Sequence, residues 1–446
     1  MVIAGTSSGV GKTTVATGLM AALRRRGDRV AGAKVGPDFI DPGYHALATG
    51  RPPRNLDPWM CGESNIAPLA ARAGRDADVL IVEGVMGLFD GAGATAVAST
   101  AHVAKLLGAP VVLVVDASSM SSSVAALVHG FASFDPDLAI AGVILNRVGS
   151  AHHEDLLRRA LVPLGVAVLG ALGRDDAFSW RDRHLGLVPV VEHPGAVQQS
   201  LDRLAAAVAA GVDLDAVMRV AALAPRRATP APPCAAAAPG GGCRIAVAAG
   251  PAFSFSYTDN LELLADAGAE IVPFDPLRDR ALPDGIGALV AGGGFPEVFA
   301  GALADNRPLL ADTRRRVAAG LVTWAECGGL LWLGQELDGH RLCGVIAARG
   351  RMTDRLTLGY RTAAFQTATP LGPEGLVVRG HEFHYSSIDP AGEALSLSGT
   401  DGASARSGWA SATLLASYLH IHLAGAPSLA TALVTAVSQP GGTRPK

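Results

Sequence analysis

Two stretches of this 446-residue chain carry residue types spaced for group-transfer chemistry. Near the start, Gly5-Thr6-Ser7-Ser8-Gly9-Val10-Gly11-Lys12-Thr13-Thr14 follows the strand-like Val2–Ala4 and leads into the helix-like Thr13–Arg26. Glycines let successive backbone N–H groups curl round phosphate oxygens, a helix N-terminus adds partial positive charge, and a lysine neutralises the transferring phosphate. Gly9, Gly11, Lys12, Thr13 and Thr14 are therefore the expected ATP-binding residues, with Thr13 a ligand for Mg²⁺. Gly5 stands one residue further from Gly11 than in the G-x-x-x-x-G-K-[ST] form, so the loop is a variant.

Carboxylates follow where a phosphate-bound metal would need them. Lys34-Val35-Gly36-Pro37-Asp38-Phe39-Ile40-Asp41-Pro42-Gly43-Tyr44-His45 reads as a loop dense in turn formers at the end of a strand, facing the ligand crevice of an open sheet. Asp38 and Asp41 are candidates for metal and substrate handling there, and a solvated turn with aspartate caps is the other reading. The apolar strand 79–82 delivers Glu83 to the same edge, where Mg²⁺ requires hard oxygen ligands. Asn146 ends another apolar run and could either read an adenine edge or cap the strand; Asp116 is placed alike.

The second stretch is Leu321-Val322-Thr323-Trp324-Ala325-Glu326-Cys327-Gly328-Gly329-Leu330, a strand, a sharp turn and a helix with Cys327 at the bend. That placement exposes a nucleophile at a helix N-terminus, where the dipole favours the thiolate. Gly293 and Gly294, after an upstream strand, and Gly328, after the cysteine, offer backbone N–H groups for an oxyanion and room for a substrate. A thiolate needs a partner to move its proton, and both His420 and His422, on one face of a strand, could serve. His381 and His384 lack the H-E-x-x-H metal spacing and are expected to bind substrate or to complete a buried network.

The elements around these residues read as repeated β–α units: strands at 2–4, 29–35, 78–82, 110–115, 139–145 and 166–169, with helices at 13–26, 100–107, 122–131 and 154–161. Continuous rather than alternating apolarity predicts a parallel sheet buried on both faces. Proline, alanine and glycine dominate 225–242, and a second β–α series follows at 244–249, 257–267, 270–272, 288–291 and 321–324. The expected organisation is α/β throughout: a P-loop domain over 1–224, a linker over 225–243, a Cys–His domain over 244–438 and a frayed tail over 439–446.

Composition narrows the function classes. Hydrophobic residues at 49% and charged residues at 17% fit large buried sheets rather than disorder. A formal net charge of -3 gives no pull towards nucleic acid or an anionic membrane surface. Cys61, Cys234, Cys243, Cys327 and Cys343 form no C-x-x-C pair, which argues against zinc or a disulfide framework and for a reducing compartment. The chain begins without a signal-peptide pattern and has no apolar run long enough to span a bilayer, so a cytoplasmic enzyme acting on small molecules is expected.

Taken together and in order, GTSSGVGKTT, KVGPDFIDPGYH, NLDPWM, VEGVMGLFDG, GVILNRVGS, GGGFPE, AECGGL, GHEFHYS and SYLHIHLAG resemble the a,c-diamide synthases of corrinoid biosynthesis, which act on cobyrinate or hydrogenobyrinate, over nearly the whole chain. The resemblance implies a dethiobiotin-synthetase-like P-loop domain joined to a class I glutamine amidotransferase domain. It implies amidation of the a and c acetates of a corrinoid, with L-glutamine as nitrogen donor and ATP activating each carboxylate. It makes Cys327 the glutaminase nucleophile, prefers His420 as its partner, and places Asp38, Asp41, Tyr44, His45 and Glu83 in metal, substrate and intermediate handling. A homodimer is expected on the same ground. Cobyric acid synthase and nickel-sirohydrochlorin diamide synthase are neighbours with similar chemistry. Switch ATPases of the ParA and MinD type carry a second lysine where this chain has Ser7, so a P-loop switch with a partner-binding domain is disfavoured. One departure is Ala151-His152-His153 after GVILNRVGS, where a charged residue before a single histidine is the family pattern.

Overall fold

Short runs rich in valine, isoleucine, leucine and alanine, buried over most of their length, build the first sheet. In the computed structural model, which describes residues 1–93, 95–174, 182–183, 186–187, 194–225, 231–238 and 242–438, these runs are β1 (Val2–Gly5), β2 (Val30–Val35), β3 (Asn55–Leu56), β4 (Val79–Glu83), β5 (Val111–Asp116), β6 (Ile140–Val148) and β7 (Val168–Gly173). All pair in parallel, in the order β3-β2-β4-β1-β5-β6-β7. Chain direction across the sheet reverses beside β1, so the crevice at the strands' C-terminal ends opens where the P-loop leaves β1. Register places Ile3 and Lys34 on either side of Glu83, which brings P-loop, second strand and carboxylate to one level.

The chain divides into two units, 1–232 and 233–446. In the second, β8 (Cys243–Ala248), β9 (Ala269–Phe274), β10 (Ala288–Ala291) and β11 (Val322–Glu326) form a parallel sheet in the order β9-β8-β10-β11. No apolar run marks 349–389, and the structure fills it with a long antiparallel pair, β12 (Arg349–Phe365) and β13 (Val377–Asp389). Its Arg351, Thr353, Arg355 and Thr357 line a cleft, so the strand has a polar face and no hydrophobic alternation to betray it. The first sheet of this unit is completed by β14 (Trp409–Ser411) and β15 (Leu414–Ser417), β15 parallel to β11. The chain then crosses to β16 (His420–Ile421), which pairs with β13 of the second sheet. That crossing seats His420 at the junction of the two sheets.

Two local expectations change. The turn-rich segment after β2 contains the helix Ile40–Thr49, with Pro42 and Gly43 in its first turn, where proline lacks only an N–H that the helix would leave orphaned. The linker is anchored where it is described: Ala238 N–H donates to Ala267 O at 3.0 Å, and Thr431 Oγ1 donates to Ala236 O at 2.7 Å. Residues 226–230, 239–241 and the tail 439–446 lie outside the described residues.

Candidate active sites

The P-loop centre is assembled at the ends of β1, β2, β4 and β6. Gly11 precedes the helix Lys12–Arg26 with φ 93°, a left-handed conformation that glycine adopts without cost, and a Cβ there would meet Asn146 Nδ2 at 2.2 Å. Asn146 Nδ2 donates to Val10 O at 2.9 Å, and Arg147 donates to Gly9 O at 2.9 Å while pairing with Asp116. The end of β6 thus braces the loop from beneath. Lys12, 8% exposed, donates to Ser7 O at 3.0 Å. Burial and the neighbouring Lys34 charge push its ammonium down to about 8, against Glu83, Asp41 and Asp90.

Opposite the loop, Thr13 Oγ1 donates to Glu83 Oε1 at 2.6 Å and lies 3.4 Å from Asp41 Oδ2. Lys34 is a salt-bridge partner of both Asp41 at 2.6 Å and Glu83 at 2.9 Å, and donates to Gly84 O. His45 Nε2 sits 2.6 Å from Glu83 Oε2. Burial alone would push the Glu83 carboxyl up, but the Lys34 charge and the His45 hydrogen bond hold it well below the usual carboxylate range. Burial lowers the Lys34 ammonium less than Asp41, Glu83 and Asp38 raise it. Asp41 behaves oppositely: burial and the negative charges of Asp38 and Glu83 push its carboxyl well up, against Lys34. Asp38 accepts from Ile40 N at 2.9 Å and Asp41 N at 3.4 Å, so its carboxylate caps the helix that carries Asp41, Tyr44 and His45. Tyr44 is 1% exposed on that helix. Thr14 lies in the first turn of the P-loop helix.

The cysteine centre lies in the second unit. Cys327 follows β11 with φ 48° and ψ −99°, a left-handed strain for a non-glycine residue that turns its side chain out at the start of the helix Gly328–Leu333. Its N–H donates to Ser417 O at 2.8 Å, fixing the elbow to β15. A Cβ on Gly329 would stand 2.1 Å from Ala291 O, so only glycine lets the helix start this close to β10. Gly293 enters the pocket in two ways: its N–H donates to Phe255 O at 3.1 Å, and its lack of a side chain leaves room for the His420 ring, which a Cβ would meet at 2.6 Å. A Cβ on Gly328 would meet Gly294 N at 3.2 Å, so these two amide-bearing residues converge beside Cys327.

His420, 1% exposed, lies beside Cys327, whose side chain and charge act on its imidazole. Burial lowers its imidazole, but the hydrogen bonds with Cys327 and Glu326 and their charges outweigh that and hold it up to about 10. His422 turns to other company, with Nε2 3.9 Å from Asp259 and its ring 4.6 Å from that of Tyr257. Between the two candidate bases, the tertiary arrangement joins His420 to the thiol. His384 stacks on Tyr418 at 3.7 Å between ring centres, and burial lowers it to about 4; burial, with the charges of His420, Arg361 and His384, lowers His381 to about 3. Both are neutral at physiological pH. In the segment that departs from the expected pattern, His153 Nε2 lies 2.6 Å from Met120 O while His152 is exposed.

Residues 1–187 match the family described as CobQ/CobB/MinD/ParA nucleotide binding domain, and residues 244–428 the CobB/CobQ-like glutamine amidotransferase domain. The hydrogenobyrinate a,c-diamide synthase of Streptomyces coelicolor is 48% identical over 97% of this chain and 96% of its own. The enzyme of the same name from Mycobacterium bovis is 49% identical over 95% of each chain. The cobyrinate a,c-diamide synthase of Synechococcus is 44% identical over 98% of each. The chain belongs to the a,c-diamide synthase family. As a member of it, the chain is a glutamine-dependent carbon–nitrogen ligase that uses ATP, with one α/β centre for the nucleotide and another for glutamine. Lys34 and Glu326 are the functional candidates in this a,c-diamide synthase that spacing did not expose. A lysine inside an apolar run and a glutamate just before the nucleophile were the available signals. Among the described residues, no helix is long and apolar enough to cross a membrane.

Proposed function

We propose that this chain amidates the a and c acetate carboxylates of cobyrinate or hydrogenobyrinate, with ATP and L-glutamine, in cobalamin biosynthesis. The observation that carries this is the presence, on one chain, of a P-loop facing a buried Lys34–Asp41–Glu83 cluster and of a Cys327–His420 pair on a strained elbow.

At the first centre, a corrinoid carboxylate oxygen attacks the γ-phosphorus of ATP, the bond to ADP breaks, and an acyl phosphate forms. Lys12 and the loop amides hold the phosphates, and Lys34 offsets negative charge next to Asp41 and Glu83. Thr13, Asp41 and Glu83 would hold Mg²⁺. Their all-oxygen donor set suits a hard cation, and the crowding that raises the Asp41 carboxyl is what such an ion relieves. When bound, Mg²⁺ would neutralise phosphate oxygens. Asp38, Tyr44 and His45 support this cluster from behind: Asp38 caps the helix that carries Asp41, Tyr44 is buried on it, and His45 holds Glu83.

At the second centre, His420 takes the thiol proton, and Cys327 Sγ attacks the side-chain amide carbon of glutamine. The amides of Gly294 and Gly328 receive the oxyanion. The C–N bond breaks as His420 returns the proton to the departing ammonia, and water then hydrolyses the thioester to glutamate. The Arg361–Glu382 salt bridge of 2.8 Å, in the wall of a cleft of about 470 Å³ with His384 and Tyr418, matches the α-carboxylate and α-ammonium of glutamine. Ammonia attacks the acyl phosphate, and phosphate leaves. A cytoplasmic homodimer belongs to the same reading.

Cys327→Ala tests the scheme. Glutamine-dependent amidation should vanish while ammonia-dependent amidation survives, and equal loss of both would reject two separate centres. Mass spectrometry of products from metal-free and cobalt-containing ring acids identifies the substrate.

A further inference from the structure

The residue immediately before the nucleophile points its carboxylate at the base. Glu326 is the last residue of β11, in register with Ser417 of β15, and its side chain is 7% exposed as a whole residue. Its Oε1 accepts from Ile421 N at 2.9 Å, a bond that ties the carboxylate to the residue following the base. Its Oε2 lies 3.5 Å from His420 Nδ1, an atom sealed from solvent. A second buried carboxylate near this strand, Asp259, faces His422 instead, at 3.9 Å.

We propose that Glu326 is the positioning residue that completes a Cys327–His420–Glu326 triad, fixing the His420 tautomer from the strand that carries the nucleophile. Glu326 Oε2 receives the Nδ1–H hydrogen bond. Nε2 then carries the proton taken from Cys327 Sγ, and the carboxylate stabilises that imidazolium. The proton stays on His420 until ammonia departs. The 3.5 Å separation shortens as the positive charge develops, as hydrogen bonds in unliganded catalytic sites do. Because Oε1 is anchored on Ile421 N, the carboxylate can approach Nδ1 only along one direction, and this fixes the ring plane as well as the tautomer. Two positions of one strand–elbow unit, Glu326 and Cys327, therefore grip the two ring nitrogens of one histidine.

This assignment rests on the glutaminase reading, and Glu326→Gln tests it separately. The substitution keeps an acceptor for Ile421 N but removes the charge. Glutamine hydrolysis should lose at least about a hundredfold in kcat, short of the ~10⁴ that a wrong tautomer costs in a serine protease triad, with KM for glutamine within about twofold. Ammonia-dependent amidation should be unchanged. The alkaline limb of the glutaminase pH profile should move to lower pH, because the imidazolium has lost a stabilising charge. Other titratable groups near the ring are His381 across the strand pair, His384, and Glu382, the last paired with Arg361. None of these changes in the variant. Iodoacetamide alkylation of Cys327 against pH gives a reading independent of substrate: the variant should alkylate several-fold more slowly near pH 6. Glu326→Asp should recover part of kcat. A Glu326→Gln enzyme with wild-type kcat and alkylation profile, or one that loses the ammonia-dependent reaction equally, would overturn the triad. Absence of glutaminase activity in the wild-type protein would instead defeat the underlying reading.

Discussion

Thr13 Oγ1 donates to Glu83 Oε1 at 2.6 Å, joining the first turn of the P-loop helix to the end of a strand seventy residues further along the chain. Glu83 is also held by Lys34 and His45 with no exposure to solvent. Glu83→Gln should therefore abolish ATP-dependent amidation from either nitrogen source while glutamine hydrolysis persists. Glu83→Ala leaves the Lys34 charge poorly compensated in the interior and should lower stability by about 3–5 kcal/mol, measured as the urea midpoint. Retained amidation in Glu83→Gln would remove this carboxylate from the phosphate-activating machinery.

Gly293 touches the base. A Cβ at that position would sit 2.6 Å from His420 Cε1 and 3.3 Å from Phe255 Cβ. Gly293→Ala should displace the ring and cut glutamine hydrolysis by about tenfold or more, since general-base efficiency depends on geometry at the ångström scale. Ammonia-dependent amidation reports whether the loss is confined to this centre.

Lys12 is held down to about 8 by burial first and by Lys34 second. Phosphate binding requires the ammonium form, so nucleotide binding takes up a proton as pH rises past this value. Isothermal titration should show ATP affinity falling by up to about tenfold per pH unit above pH 8, with proton uptake visible in buffers of different ionisation enthalpy. Constant affinity from pH 7 to 9 would contradict this.

His420 is raised from its ordinary 6.5 to about 10. A group raised on folding contributes stability that is complete below its unfolded value and is lost as pH climbs through the folded one. The stability advantage of wild type over Cys327→Ala should accordingly be flat below about pH 6.5 and shrink up to about pH 10. Urea titrations across that range give the comparison, and a gap that widens with pH would reverse the sign.

Asn146 donates its amide to Val10 O at 2.9 Å. If bracing the loop is its role, Asn146→Ala should weaken ATP and GTP equally, by about three- to tenfold for one hydrogen bond. Selective loss of ATP would show that the side chain reads the adenine edge.

The sequence by itself determined the local units. Strand–glycine loop–helix around Lys12, strand–Glu83, and strand–elbow–helix around Cys327 each arise from consecutive residues, because apolar runs, glycines and helix starts act over a few positions. The positions of the β–α repeats were legible in the same way, to within a few residues at strand ends. What only the tertiary structure decided lies between distant strands. Sheet order placed Lys34 beside Glu83 and Asp41, and the crossing from β15 to β16 placed His420 rather than His422 against Cys327. Asp38 as a helix cap and Glu326 facing Nδ1 belong with them. Such contacts depend on which strands become neighbours, and the side-chain period of a strand fixes a face without naming what will lie opposite it.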